Sequence, residues 1–95
     1  MTAEELLAKY AAGQRNFRGV ELSGVDLQGA DLSGIDLQDA NLSRAELSEA
    51  ILIKANLYKT NLSRASLKSA NLSNATSSSQ NLSWADLSGD RKSVV

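Results

Sequence analysis

Ala30-Asp31-Leu32-Ser33-Gly34-Ile35-Asp36-Leu37-Gln38-Asp39-Ala40-Asn41-Leu42-Ser43-Arg44 is three copies of one five-residue phrase. A small or branched residue comes first, then Asp, Asn or Glu, then leucine, then often serine, then a variable residue. The phrase extends from Val20 to Ala75, with leucine at 22, 27, 32, 37, 42, 47, 52, 57, 62, 67 and 72. The first position is Val20, Val25, Ala30, Ile35, Ala40, Ala45, Ala50, Ala55, Thr60, Ala65 and Ala70.

A period of five fits neither regular element. Helices repeat apolar residues three and four apart, and half-buried strands alternate them. At 100° per residue, every fifth position drifts around a helix and leaves no stripe. Sustained short repeats mark a solenoid, in which each unit buries its apolar face only against its neighbours. The leucines then share one axis, and the residue beside each must be small because two of every five point inward.

These units resemble the pentapeptide repeat proteins. The resemblance covers roughly residues 15–89, and the lead-in from Tyr10 to Phe17 is similar to the start of cyanobacterial members. It implies an all-β fold, a right-handed quadrilateral β-helix with four pentapeptides per coil. Residues twenty apart then stack at the strand spacing of about 4.8 Å. The expected inward columns are Phe17/Leu37/Leu57/Ser77, Leu22/Leu42/Leu62/Leu82, Leu27/Leu47/Leu67/Leu87 and Leu32/Leu52/Leu72.

Residues 1–14 read as a short N-terminal capping α-helix. Thr2 and Glu5 have capping-box spacing, Leu6, Leu7 and Tyr10 form an apolar stripe, and Gly13 suits the stop. Residues 15–89 are the β-helix, just under four coils. Residues 90–95 fit no repeat and read as a disordered tail.

The 95 residues contain no proline and only four aromatics, Tyr10, Phe17, Tyr58 and Trp84. Leucine and alanine columns therefore replace an aromatic core. No stretch is long and apolar enough to span a membrane, and Glu4 and Glu5 argue against a signal peptide. The expected location is cytoplasmic. Net charge is −1, with the acidic residues concentrated before Glu49 and the basic ones after it. That asymmetry is either a set of solvated faces or an axial gradient that orients a partner.

With neither His nor Cys, the chain lacks imidazole chemistry and soft metal ligands. Successive carboxylates such as Asp26, Asp31 and Asp36 fall on different sides of a convex prism, whereas paired-carboxylate chemistry needs a cleft. The expectation is no enzyme, no cofactor and no metal. Glycine at 19, 24, 29 and 34 marks the corners, where positive φ is needed, and Asp39, Arg44, Glu49, Lys54 and Lys59 follow at the same position.

Outward columns give finer expectations. Asn41, Asn61 and Asn81 form an amide ladder. Asp39 lies beside Lys59, and Arg44, Arg64 and Trp84 fall in one column, which sets Arg64 beside the indole. Ile51, Ile53, Tyr58 and Trp84 are the candidate contact surface, either scattered apolar residues or a patch. Ser77 and Gln80 interrupt the last coil, which is either frayed and wetted or completed by a partner.

The resulting functional expectation is a non-catalytic structural or protein-interaction module with an unknown protein partner. A homodimer through the C-terminal coil is the further expectation. Dimerising family members use that end, and Trp84, Val94 and Val95 are the apolar residues available there. The alternative is a DNA-mimicking inhibitor or protector of a type II topoisomerase (gyrase). That role requires a sustained acidic surface, and the basic residues from Lys54 to Lys68 argue against it. Direct nucleic-acid binding is disfavoured because the basic residues are interrupted and lack stacking aromatics.

Overall fold

The computed structural model describes residues 1–76 together with Asn81, Ala85, Asp86 and Ser88. The expectations placed on Ser77, Gln80, Leu82, Trp84, Leu87 and the 90–95 tail lie outside the described residues.

Helix α1 spans Ala3–Ala11. Thr2 caps it through a reciprocal pair. The Glu5 N–H donates to Thr2 Oγ1 (3.1 Å), and the Thr2 N–H donates to Glu5 Oε1 (2.8 Å). These bonds satisfy amides that the first helical turn leaves without partners. Leu6 is fully buried and joins the core, while Leu7 remains 39% exposed. The lead-in secures the helix to the first coil. The Tyr10 hydroxyl donates to the Ser33 carbonyl (2.7 Å), and the Arg15 guanidinium lies 3.7 Å from the Tyr10 ring centroid.

From Asn16 onward the backbone coils with a twenty-residue period. Parallel pairing joins Asn16 to Asp36, Asp36 to Asn56 and Asn56 to Thr76, and the same step holds on every side. Four pentapeptides therefore make one turn. The first coil is 16–35, the second 36–55 and the third 56–75. The sides are numbered by their leucine columns. Side one carries Phe17, Leu37 and Leu57; side two carries Leu22, Leu42 and Leu62; side three carries Leu27, Leu47 and Leu67; side four carries Leu32, Leu52 and Leu72.

All twelve of these residues are at most 2% exposed. Ile35 and the first-position alanines from Ala40 to Ala75 are buried beside them, whereas Val20, Val25 and Ala30 in the first coil are partly buried. Thr60 is the one buried polar residue among those described. Its hydroxyl donates to the Leu37 carbonyl at 2.8 Å, so the group does not go unpaired in the core.

The unit 36–40 shows where the backbone donors go. Asp36 N–H donates down to the Arg15 carbonyl, Leu37 N–H up to Asn56, and Asp39 N–H up to Tyr58. Ala40 N–H closes the corner onto Leu37, and Gln38 N–H is taken by the Asp36 side chain at 3.2 Å. Five donors find five acceptors, as buried backbone requires. The unit 41–45 repeats the pattern, with Asn41 bonded to Val20, Leu42 to Asn61, Ser43 to Asn41 Oδ1, Arg44 to Ser63 and Ala45 to Leu42.

Each corner needs a left-handed residue. Gly34 has φ 70°, and past it the same conformation is held by side-chain-bearing residues, including Asp39 (62°), Arg44 (61°), Glu49 (60°) and Asn74 (60°). The left-handed region costs such residues roughly 1–2 kcal/mol, while glycine loses about 0.5–1 kcal/mol of chain freedom. Glu49→Gly should therefore raise the unfolding free energy by about 0.5–1 kcal/mol, measured by urea denaturation. A lower midpoint would show that Glu49 makes a compensating contact.

Candidate interaction surface

The second residue of each unit acts on the backbone. Its side-chain oxygen accepts the N–H two residues on, so it stiffens the approach to the corner. Asn16 holds Arg18, Glu21 holds Ser23, Asp26 holds Gln28, Asp31 holds Ser33 and Asn56 holds Tyr58, all at 3.0–3.1 Å. Ile51 and Ser66 break the rule. Among the described residues, no acceptor holds the Ile53 or Lys68 amide.

These bonds act on acidity. Asp31 lies below its ordinary 3.8 because the Ser33 hydroxyl, and then the Ser33 amide, donate to its carboxylate. Glu46 lies below 4.5 through the Ser48 hydroxyl and then its amide. The Ser23 amide lowers Glu21, and the Ser88 amide lowers Asp86.

The expected asparagine ladder takes another form. Asn41 Nδ2 donates to Glu21 Oε2 at 2.9 Å, and Asn56 Nδ2 donates to Asp36 Oδ1 at 3.1 Å. Asn41 and Asn61 are not joined to each other, because each commits its side-chain oxygen to its own turn. The Asp39–Lys59 pair also does not form. Lys59 Nζ leans over the Tyr58 ring, 5.3 Å from its centroid. Among the described residues the ion pair is Arg18–Asp36, at 2.6 Å. Arg18 is half exposed, and such pairs contribute about 0–1 kcal/mol.

Ile51 and Ile53 lie together on side four and are partly buried. Ile51 is paired between Asp31 and Asn71. Tyr58 lies on side one, across the Lys54 corner, so the three residues occupy two adjoining sides rather than one patch. Trp84 and its contact with Arg64 lie outside the described residues.

A feature that the sequence marked only as a column is the corner after side two. Ser23, Gly24, Ser43, Arg44, Asn61, Ser63 and Arg64 line an open groove of about 430 Å³. Arg44 and Arg64 stand one coil apart, and Gly24 leaves the same corner of the first coil without a side chain. The signal in the sequence is a Ser-Arg pair recurring after twenty residues. Side-chain direction is what turns it into a groove. Among the described residues there is no cluster of potential metal ligands, and no helix is long and apolar enough to cross a membrane.

Comparison with known proteins places this architecture. The pentapeptide-repeat family model matches residues 16–39 and 40–76. The chain belongs to the pentapeptide repeat family, whose members fold as right-handed quadrilateral β-helices. It is similar to the crystal structure of HetL, a pentapeptide repeat protein involved in heterocyst differentiation regulation from the cyanobacterium Nostoc sp. strain PCC 7120. Identity is 37% over 95% of this chain and 38% of HetL, with a TM-score of 0.94. It is also similar to alr5209, a pentapeptide repeat protein from Nostoc PCC 7120. Identity there is 36% over 88% of this chain and 74% of that one, with a TM-score of 0.60. This chain therefore spans well under half of HetL's length. A search of curated proteins found no match. Proteins of this family are in general non-catalytic repeat modules. Nothing among the described residues supports the DNA-mimic alternative, because the net acidic first and second coils give way in the third to Lys59, Arg64 and Lys68 with no acidic residue.

The lowered carboxylates set the acid response. Their folded pKa values lie below the unfolded ones, so the stability they confer is present above the ordinary values. It is lost as pH falls through the lowered ones. Urea midpoints from about pH 6 down to about pH 3 should therefore decline, with a shallower decline in Glu46→Gln. That variant keeps the acceptor oxygen without the titration. An equally steep decline would remove Glu46 from the acid response.

Proposed function

We propose that this protein is a non-catalytic protein-interaction module that presents the flat sides of its solenoid to a macromolecular partner. The observation that carries this reading is the division of labour within each unit. Leucine and the first residue fill the interior, while the local turn and the stacked coils hold the backbone. The outer side chains on each side are thereby free to vary on a fixed spacing without cost to the core. Solenoids commonly use such surfaces for binding. Helix α1, with Leu6 buried, serves in this reading as the lid of the first coil. The likeness to HetL, a protein involved in heterocyst differentiation regulation, supports a regulatory rather than a chemical role.

Lysines lie on different parts of the prism, with Lys54 at the corner after side four, Lys59 at the corner after side one, and Lys68 on side three. Amine-reactive cross-linking in an extract of the source cells, read by mass spectrometry, should join one protein to the lysines of one region at a constant ratio. Cross-links scattered over all three lysines with no recurrent protein would overturn the reading.

A further inference from the structure

We infer that the groove at the Arg44–Arg64 corner is an oxyanion site that takes carboxylate side chains from an acidic segment of a partner protein. The inference rests on the reading of the chain as an interaction module and names the chemistry of one of its surfaces.

Four observations converge on this corner. The first is uncompensated charge. Among the described residues, neither Arg44 nor Arg64 enters an ion pair or a side-chain hydrogen bond. The coil spacing of about 4.8 Å keeps their backbones next to each other. Two like charges stacked in this way favour an anion between them. The second is that the nearby acids are occupied. Glu21 accepts from Asn41 Nδ2 and from the Ser23 amide, and Glu46 accepts from Ser48.

The third observation is the state of the hydroxyls. Ser33, Ser48 and Ser73 turn theirs onto the Asp, Glu or Asn two residues earlier. Ser43 and Ser63, which line the groove, have their amides held by Asn41 and Asn61, but their hydroxyls bond to no described residue. Two free donors thus flank two free guanidinium groups. The fourth is space. A Cβ built on Gly24 would meet no atom within 4 Å, so the corner below the arginines is open.

The occupant follows from charge and shape. A planar guanidinium pairs bidentately with carboxylate or phosphate. A nucleic-acid strand needs several phosphate contacts in a row, and single strands also need stacking rings. Below Arg44 on either side of the corner, Glu21 and Asp26 are exposed; a chain with a phosphate at every step must run its charge past them, whereas a peptide can set uncharged residues there. The groove is lined by no aromatic residue. A polypeptide with a few acidic side chains avoids both difficulties.

The test is fluorescence anisotropy of the full chain with a labelled twelve-residue peptide of alternating Asp and Gly, and separately with a twelve-nucleotide oligothymidine. The variant is Arg44→Asn/Arg64→Asn, since Asn74 already occupies an equivalent left-handed corner at φ 60°. A Lys54→Asn/Lys59→Asn control removes the same charge elsewhere. The wild type should bind the peptide more tightly than the oligonucleotide. The arginine variant should lose about tenfold or more in affinity and the lysine control less than about twofold. Absence of peptide binding, equal losses in the two variants, or tighter oligonucleotide binding would overturn the inference. If the arginine variant does not fold, amide NMR shifts in the wild type decide. Peptide-induced shifts centred on Ser43, Arg44, Ser63 and Arg64 support the site, and shifts elsewhere overturn it. A natural partner that engages another side would overturn the groove and leave the module reading intact. Peptide binding at the groove with no protein partner in cells would do the reverse.

Discussion

The structure depends on the hydrogen bonds that run along its axis. In the units 36–40, 41–45 and 46–50 three backbone donors reach a neighbouring coil, one closes the corner, and one is accepted by the unit's own Asp, Asn or Glu. This arrangement works only when residues twenty apart stand over one another, so it fixes the register of the whole body. It also fixes composition. Stacked coils at strand spacing leave a narrow interior, and only a leucine with a small neighbour fits each side. The near absence of aromatics is a consequence of that cross-section. Phe17 is the exception, in the first coil, which also receives Leu6 from α1.

The corners show how such a body acquires an individual surface. All four corners of the first coil are glycine, and all four of the second are Asp, Arg, Glu or Lys, each held near φ 60°. A left-handed corner directs its side chain away from the prism, so charge placed there is available to solvent or a partner. It comes with a conformational cost that glycine avoids. Arg44 and Arg64 are held in this way. The surface with the clearest binding character is therefore also one where the backbone is least comfortable, as is common at functional sites.

The leucine columns, the small first residues and the four-residue capping box were legible in the sequence because each is a periodic or local pattern. Other features depended on where a side chain turns. Asn41 and Asn61 looked like ladder partners, but their oxygens serve their own turns. Asp39 and Lys59 share a column, yet Lys59 leans over Tyr58 instead. Thr60 stands in the sequence as one more small or branched first residue, and the Leu37 carbonyl that makes its hydroxyl acceptable in the core belongs to a residue twenty-three positions away. The groove has the same origin. Its two arginines were visible as a column, but the unengaged Ser43 and Ser63 hydroxyls and the open space over Gly24 required three-dimensional placement.

Where it is Asp, Asn or Glu, the second residue of a unit supplies one of that unit's five backbone bonds. Ile51 and Ser66 provide a natural control, because the Ile53 and Lys68 amides lack the side-chain acceptor that the Ser43, Tyr58, Ser63 and Ser73 amides possess. Residue-resolved amide hydrogen exchange by NMR distinguishes the two groups within one folded body. Ile53 and Lys68 should exchange faster, relative to their intrinsic rates, than all four of the others. Equal protection at all six positions would contradict this, and would mean that the leucines and the coil-to-coil bonds hold the units without help from the Asp, Asn and Glu beside them.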